Sequence, residues 1–424
     1  MASRVRRLRV LAVATALAVA VAPALVPAAA QAQPAAAPNA VVTWHSHAQT
    51  AIHEVGGQTA ATAARSFAMV QGAVYDAVNS IAGTPYEPYL AAPPSRPGDS
   101  APAAVAAAAH HVLLALFPAQ ADSLRTRYEE ALAAVPDGRS KTGGIAVGEA
   151  AAATMIEARR DDGAFSGATW PVGDQPGQWR PTPPGFLQVG AWFATLRPFA
   201  ADPAEHRTAG PPALGSRAYA RELNEVKSLG SATSTTRTPE QTEAAIWWDD
   251  ATMVEWEIRR QLATTHRLTT LQAARMFAMT DVAVADALIA CYQQKRRWSF
   301  WRPVTAIPLA DTDGNPGTAA DPGWAPLRTT APSPEWPSGH ACYTSAALRG
   351  LRAFFGRDAV PFSAFSPQSG TTRHYATFSA AIAELNEARI WAGVHYRGAT
   401  VQGDRLGAAV TRDVLAREFG RSHR

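Results

Sequence analysis

The chain has 424 residues, 47% hydrophobic and 17% charged, a composition that excludes a disordered chain and allows a large core in one to three domains. Its formal charge of +4 sits entirely in residues 1–32, where Arg4, Arg6, Arg7 and Arg9 meet no acid, leaving 35 basic and 35 acidic residues beyond. A neutral body without a basic stripe argues against a nucleic-acid partner.

Residues 1–32 have the form of a secretory signal. A basic region ends at Arg9, an apolar stretch runs from Val10 to about Val26, and Ala30-Gln31-Ala32 fits the small-residue cleavage rule. Cleavage is expected near Ala32 and the mature protein is expected to be exported, secreted or periplasmic. Arg6-Arg7 followed by Leu8 and Leu11 is a loose match to a twin-Arg signal. A membrane anchor is disfavoured because the stretch is Ala-rich, short and interrupted by Pro23, and no later segment is apolar enough to span a bilayer.

Residues 33–40 read as a flexible leader and Val41 to about Val55 as a short helix, with His45, His47 and His53 structural or on the surface. Apolar residues recurring at three- and four-residue intervals predict a core-facing helix over Thr59–Ile81. A Pro-rich loop covers roughly 84–100, and Ala-rich helices follow near 102–116, 119–134 and 141–161. His110 and His111, in the first of these, read as packing and surface groups. Residues 162–214 are rich in Gly, Pro and Trp and lack a period, as a lid or the wall of a site would. A short helix over 216–227 and a linker over 230–236 close this half.

Thr238-Pro-Glu-Gln241 has the N-cap, N1 and N3 residues of a helix start, and the helix is expected to run through Trp247-Trp248-Asp249-Asp250 to about Leu262. A long periodic helix is predicted over Leu268–Trp298, an irregular stretch to 336, and helices from Ser338, over Tyr375–Trp391 and over about 400–419. Since no stretch alternates with period two over a convincing length, no sheet is predicted. The expected fold is all-α: after the signal, an N-terminal helical half at 33–236 and a C-terminal helical domain at 237–424. Cys291 and Cys342 could form a bridge in an exported protein, but they read better as buried free thiols, and no Cys/His metal spacing exists.

Three motifs in the C-terminal half carry chemistry. The first is Lys295-Arg-Arg-Trp-Ser-Phe-Trp-Arg302-Pro303, where a seven-residue spacing is nearly two helical turns and returns both cations to one face. Pro303 disfavours helix at Arg302, so the chain should break there and aim the guanidinium inward. The second is Pro337-Ser338-Gly339-His340, a helix mouth with unpaired N–H groups, a Gly that lets an anion approach and a His that exchanges protons near neutral pH. The third is Arg389-Ile-Trp-Ala-Gly-Val-His395; Arg389 and His395 can face one anion only if the helix ends between them, and Gly393 is the natural place. Three fixed cations in a cleft would be costly without a multiply charged anion. The set suits a tetrahedral oxyanion, stabilised in a five-coordinate arrangement with one His apical and the other handling protons.

Order and spacing resemble the superfamily of vanadium-dependent haloperoxidases and type 2 phosphatidic acid phosphatases, whose pattern is Lys-x6-Arg-Pro, Pro-Ser-Gly-His and Ser-Arg-x5-His-x3-Asp. The stretches Ala64–Val78 and Phe300–Ile307 resemble its bacterial haloperoxidase branch. The resemblance implies that Lys295, Arg302, Ser338, Gly339 and Arg389 hold vanadate oxygens, that His395 is the axial vanadium ligand, and that His340 is the acid–base group. It implies vanadate as cofactor, hydrogen peroxide with halide or a small organic molecule as substrates, and leaves room for a homodimer. In the phosphatase alternative His395 is the nucleophile, forming a phospho-histidine, and His340 the leaving-group acid; a third alternative is a helical protein that only binds an anion. Ala388 stands where the pattern has Ser. Ala399 stands where the phosphatases have the Asp that orients the nucleophilic His, which tilts the expectation toward the peroxidase; Asp404 lies too far along to replace it. Asp281, Asp286 and Asp249 are candidates for the partner of His340.

Overall fold

The computed structural model describes residues 38–422, together with Ala2, so the signal reading falls outside the described residues. In chain order the helices are α1 (Ala40–Gln49), α2 (Ala60–Ile81), α3 (Ala101–Leu116), α4 (Ala121–Ala133), α5 (Arg139–Ala158), α6 (Arg217–Leu229), α7 (Pro239–Trp247), α8 (Ala251–Thr265), α9 (Thr270–Trp298), α10 (Pro303–Ala306), α11 (Gly339–Phe355), α12 (Phe378–Trp391) and α13 (Arg397–Arg417). Side-chain caps mark where several begin: Thr59, Ser100, Ser216, Ser338 and Thr377 each accept from a backbone N–H in the first turn, and Thr238 and Thr269 form capping boxes with Gln241 and Gln272. The fold is all-α, with one small exception.

That exception is an antiparallel hairpin of β1 (Phe362–Ser366) and β2 (Thr371–Tyr375), where no sheet is expected from sequence. It buries Phe362 and Tyr375 against the helices, and Arg373 meets Glu243 and Glu384 at 2.9 and 2.8 Å. Five-residue strands with mixed patterning carry little period-two signal; tertiary packing makes them strands. The hairpin also delays α12, which starts at Phe378 instead of Tyr375.

Helix α9 is the axle. It is buried on every side from Met276 to Tyr292, packed by α2 on one flank and by α11 and α13 on the other. A helix wrapped in this way has small residues where neighbours come closest, and α9 is rich in Ala. Between α11 and α13 the approach is tighter: a Cβ at Gly407 would lie 2.5 Å from the carbonyl oxygen of Cys342. The 162–214 segment is irregular apart from two short 3-10 turns. It is pinned to α9 by Asp286, whose carboxylate accepts from the N–H groups of Phe199, Ala200 and Ala201 at 2.7 Å each. Among the described residues no helix is long and apolar enough to cross a membrane.

The helix expected over 239–262 is broken. A 3-10 turn at Trp248–Asp250 separates α7 from α8, because both indoles are fully buried, Trp248 donating to Glu384, and the chain must bend to seat them.

Candidate active site

The three motifs converge. Lys295 lies in the last turn of α9 and its ammonium donates to the carbonyls of Pro334 at 2.6 Å and Glu335 at 3.3 Å. Arg302 joins it, but not through helical periodicity. The helix ends at Trp298, Ser299 adopts a left-handed conformation (φ 38), and Arg302 is the extended residue capping α10, as Pro303 requires. Its guanidinium donates to the carbonyls of Ser333 (2.9 Å) and Val394 (3.0 Å) and reaches His395 Nε2 at 3.1 Å. Arg389 closes the ring from α12. Its Nη1 lies 3.4 Å from Asp249 Oδ1, while its buried Nε has no acceptor.

Gly393 does end the third motif's helix. It has φ +79, and a Cβ there would lie 2.3 Å from the Gly230 carbonyl, so only Gly permits the reversal that carries His395 off α12. On the second motif Ser338 is the N-cap of α11, its Oγ accepting from Ala341 N at 3.3 Å; it is fully buried and does not line the cavity. Gly339 does line it, and an added Cβ would meet nothing nearer than Lys295 Cε at 3.7 Å.

Sequence reasoning missed the residue that ties the three together. Glu335 is fully buried, and its Oε1 accepts from His395 Nδ1 at 2.8 Å and from Tyr396 N at 3.0 Å. Ala399 had suggested that His395 lacks an orienting carboxylate; a carboxylate is present, contributed from a different part of the chain. Asp404 instead serves Ser345 and Arg349. One signal was available: Glu335 is the only charge in the apolar run from Ala331 to Gly339, and buried acids are paired.

For His340 the partner is Asp249, through its backbone carbonyl at 3.3 Å from Nε2. Asp281 pairs with Arg259, and Asp286 binds backbone, so neither other candidate reaches it. The carbonyl fixes Nε2 as the protonated nitrogen and leaves Nδ1 as the basic one.

Electrostatics follow from burial without enough countercharge. Burial, helped by Arg302, lowers Lys295 to about 8. Burial lowers Arg302 to about 10 and also depresses Arg389. His340 falls to about 3 through burial and Arg389, and His395 falls well below its ordinary value through burial, Arg302 and Lys295. Both imidazoles are therefore neutral. Burial lifts Glu335 to about 8 against the pull of Arg302 and Lys295. Asp249 is lifted by burial, yet Arg389 and Arg328 hold it below its usual range.

A cavity of about 280 Å³ opens onto these groups. His340 is only half-buried because this cavity reaches it. Its outer wall is apolar and comes partly from the N-terminal half, through Ala61 and Val189, beside Leu288 and Pro332. Val189 is fixed there by its N–H to the Pro332 carbonyl at 3.1 Å. Cys291 and Cys342 are buried free thiols behind the site.

These residues fit an oxyanion. The acceptor-less Arg389 Nε and the open space before Gly339 are places an anion oxygen would fill, and His395 Nε2, which accepts from Arg302 Nη1 at 3.1 Å, offers a lone pair to a metal centre. Residues 275–420 match the family model described as the VCPO second helical-bundle domain. The vanadium chloroperoxidase of Curvularia inaequalis is 30% identical over 207 residues, 40% of this chain and 33% of that protein, so the match spans about a third of that relative. A crystal structure of a bacterial vanadium-dependent iodoperoxidase superposes with a TM-score of 0.76 at 23% identity, covering 91% of this chain and 97% of that one. An apo-type bacterial vanadium-dependent chloroperoxidase gives 0.66 at 17% identity, covering 83% and 92%. The fold is the helical fold of vanadium-dependent haloperoxidases, and the three motifs line one cavity within it. Residues 275–420 thus resemble the second helical bundle of the vanadium chloroperoxidases, and the fold over most of the chain is that of bacterial vanadium-dependent haloperoxidases.

Proposed function

We propose that the protein is a vanadate-dependent peroxidase that oxidises halide, or a small organic molecule, with hydrogen peroxide. The observation that carries this reading is that Lys295, Arg302, Arg389 and His395 line one cavity, with Arg302 3.1 Å from His395 Nε2, in a fold shared with vanadium peroxidases. Lys295, Arg302, Arg389 and the Gly339 N–H would hold the oxyanion's oxygens, and His395 Nε2 would bind the metal. Bound vanadate supplies Lewis-acid activation of peroxide.

The chain's own residues do the rest. Glu335 takes the Nδ1 proton of His395 as a hydrogen bond and so turns the other nitrogen's lone pair to the site. His340, neutral and with Nε2–H committed to the Asp249 carbonyl, presents Nδ1 as a base for the proton of incoming peroxide. His340 is unprotonated in the free protein, and a bound anion would offset Arg389 and Arg302, two of the groups that hold its value down. The apolar outer wall limits water around the oxidant.

An acid phosphatase using His395 as nucleophile is the second reading, and the Glu335–His395 pair is the observation in its favour. One experiment separates them. Purified protein loaded with orthovanadate is assayed for halogenation of a β-diketone with peroxide and bromide, chloride or iodide, and in parallel for phosphate release from an aryl phosphate without vanadate. Vanadate-dependent halogenation supports the proposal; phosphate release alone, abolished by His395→Ala, overturns it. Export belongs to the same proposal and is tested by N-terminal sequencing of protein from the culture medium or periplasm.

A further inference from the structure

Glu335 sits at the junction of all three motifs. Its N–H donates to the Phe300 carbonyl at 2.9 Å, between Lys295 and Arg302 in the first motif. Its own carbonyl accepts from Lys295 Nζ at 3.3 Å. Its side chain crosses to the third motif, where Oε1 takes both His395 Nδ1–H and Tyr396 N–H. The second carboxylate oxygen, Oε2, is buried with no donor, so Oε1 alone makes the side chain's bonds. A carboxylate fixed at both ends of its own backbone has little freedom to follow a moving ring; it holds the ring instead.

We propose that Glu335 is the positioning residue for His395, locking the Nδ1–H tautomer so that the site prefers an oxyanion that bonds to nitrogen over one held by charge alone. The proposal rests on the vanadate reading of the site. Vanadate extends its coordination at equilibrium and can accept the Nε2 lone pair, whereas inorganic phosphate stays tetrahedral and depends on the cations and the Gly339 N–H. Orientation of His395 therefore contributes to vanadate affinity and not to phosphate affinity. Burial lifts Glu335 to about 8, so near neutral pH it carries little negative charge and its loss leaves the charge that holds phosphate nearly unchanged.

The test is calorimetric titration of the full chain with orthovanadate and, separately, with inorganic phosphate, for the wild type, Glu335→Ala and Glu335→Gln. Removing a partner of a metal-ligating His typically costs roughly 10- to 100-fold in metal affinity, so E335A should weaken vanadate by that factor while phosphate holds. E335Q keeps an acceptor oxygen and should fall between E335A and the wild type; if E335A fails to fold, the same ratio read on E335Q decides. Equal weakening of both anions, or an unchanged vanadate-to-phosphate ratio in a folded variant, overturns the assignment. A wild type that binds vanadate no tighter than phosphate overturns this inference and the vanadate reading together, so the two failures are distinguishable.

Discussion

Gly339→Ala separates the site from the fold. Gly339 is the first residue of α11, and the new methyl would touch only Lys295 Cε, at 3.7 Å, an ordinary van der Waals distance. Helix formation favours Ala over Gly by about 0.5–1 kcal/mol, so the folded state should be unharmed or slightly stabilised. The methyl, however, occupies the space through which an anion oxygen reaches the backbone N–H. A hydrogen bond to a charged group contributes about 1.5–3 kcal/mol, and at 1.4 kcal/mol per decade its loss weakens anion binding roughly 10- to 100-fold. Calorimetry with orthovanadate and with phosphate reads the affinity, and thermal unfolding reads the stability. Wild-type affinity in the variant would refute the placing of the anion at this helix mouth. A loss of stability above about 2 kcal/mol would refute the claim that the position faces open space.

The remaining expectations concern charge, protons and the turn before His395. Burial and Arg302 lower Lys295 to about 8, and a bound anion needs its ammonium form. Phosphate affinity should therefore hold below about pH 8 and fall by up to tenfold per pH unit above it, and Lys295→Arg should flatten that slope in a titration series. His340→Ala should keep vanadate affinity within about threefold while turnover drops by about 10²–10⁴, since a base is lost and no oxygen-holding group is touched. Steady-state kinetics with calorimetry on the same preparation check it. Gly393→Ala would put a Cβ 2.3 Å from the Gly230 carbonyl at φ +79. It should cost at least about 2 kcal/mol, seen as a lower urea midpoint at an unchanged m-value.

Much of the architecture was legible because its causes are local. The caps at Thr59, Thr238 and Ser338 each bond within their own first turn, and the end of α12 is set by Gly393, so short windows of sequence contain the interactions that define them. The failures share another cause. The break at Trp248–Asp250 comes from indoles seated among residues more than a hundred positions away, and β1–β2 is a hairpin because helices cover Phe362 and Tyr375. The shared face of Lys295 and Arg302 was anticipated, but through periodicity; a left-handed turn at Ser299 produces it.

The site divides in the same way. Sequence alone determined the all-α class and the helix mouth at Ser338–His340, and it singled out the three cations and two imidazoles that the fold brings to one cavity, because spacing and residue chemistry are properties of short stretches. Only the tertiary structure decided that the Asp249 carbonyl meets His340, that Ser338 caps its own helix, and that a carboxylate 60 residues before His395 hydrogen-bonds its imidazole, which Ala399 cannot do. A hydrogen bond depends on a few tenths of an ångström and a direction, and for residues so far apart in the chain both are set by the packing of every helix between them.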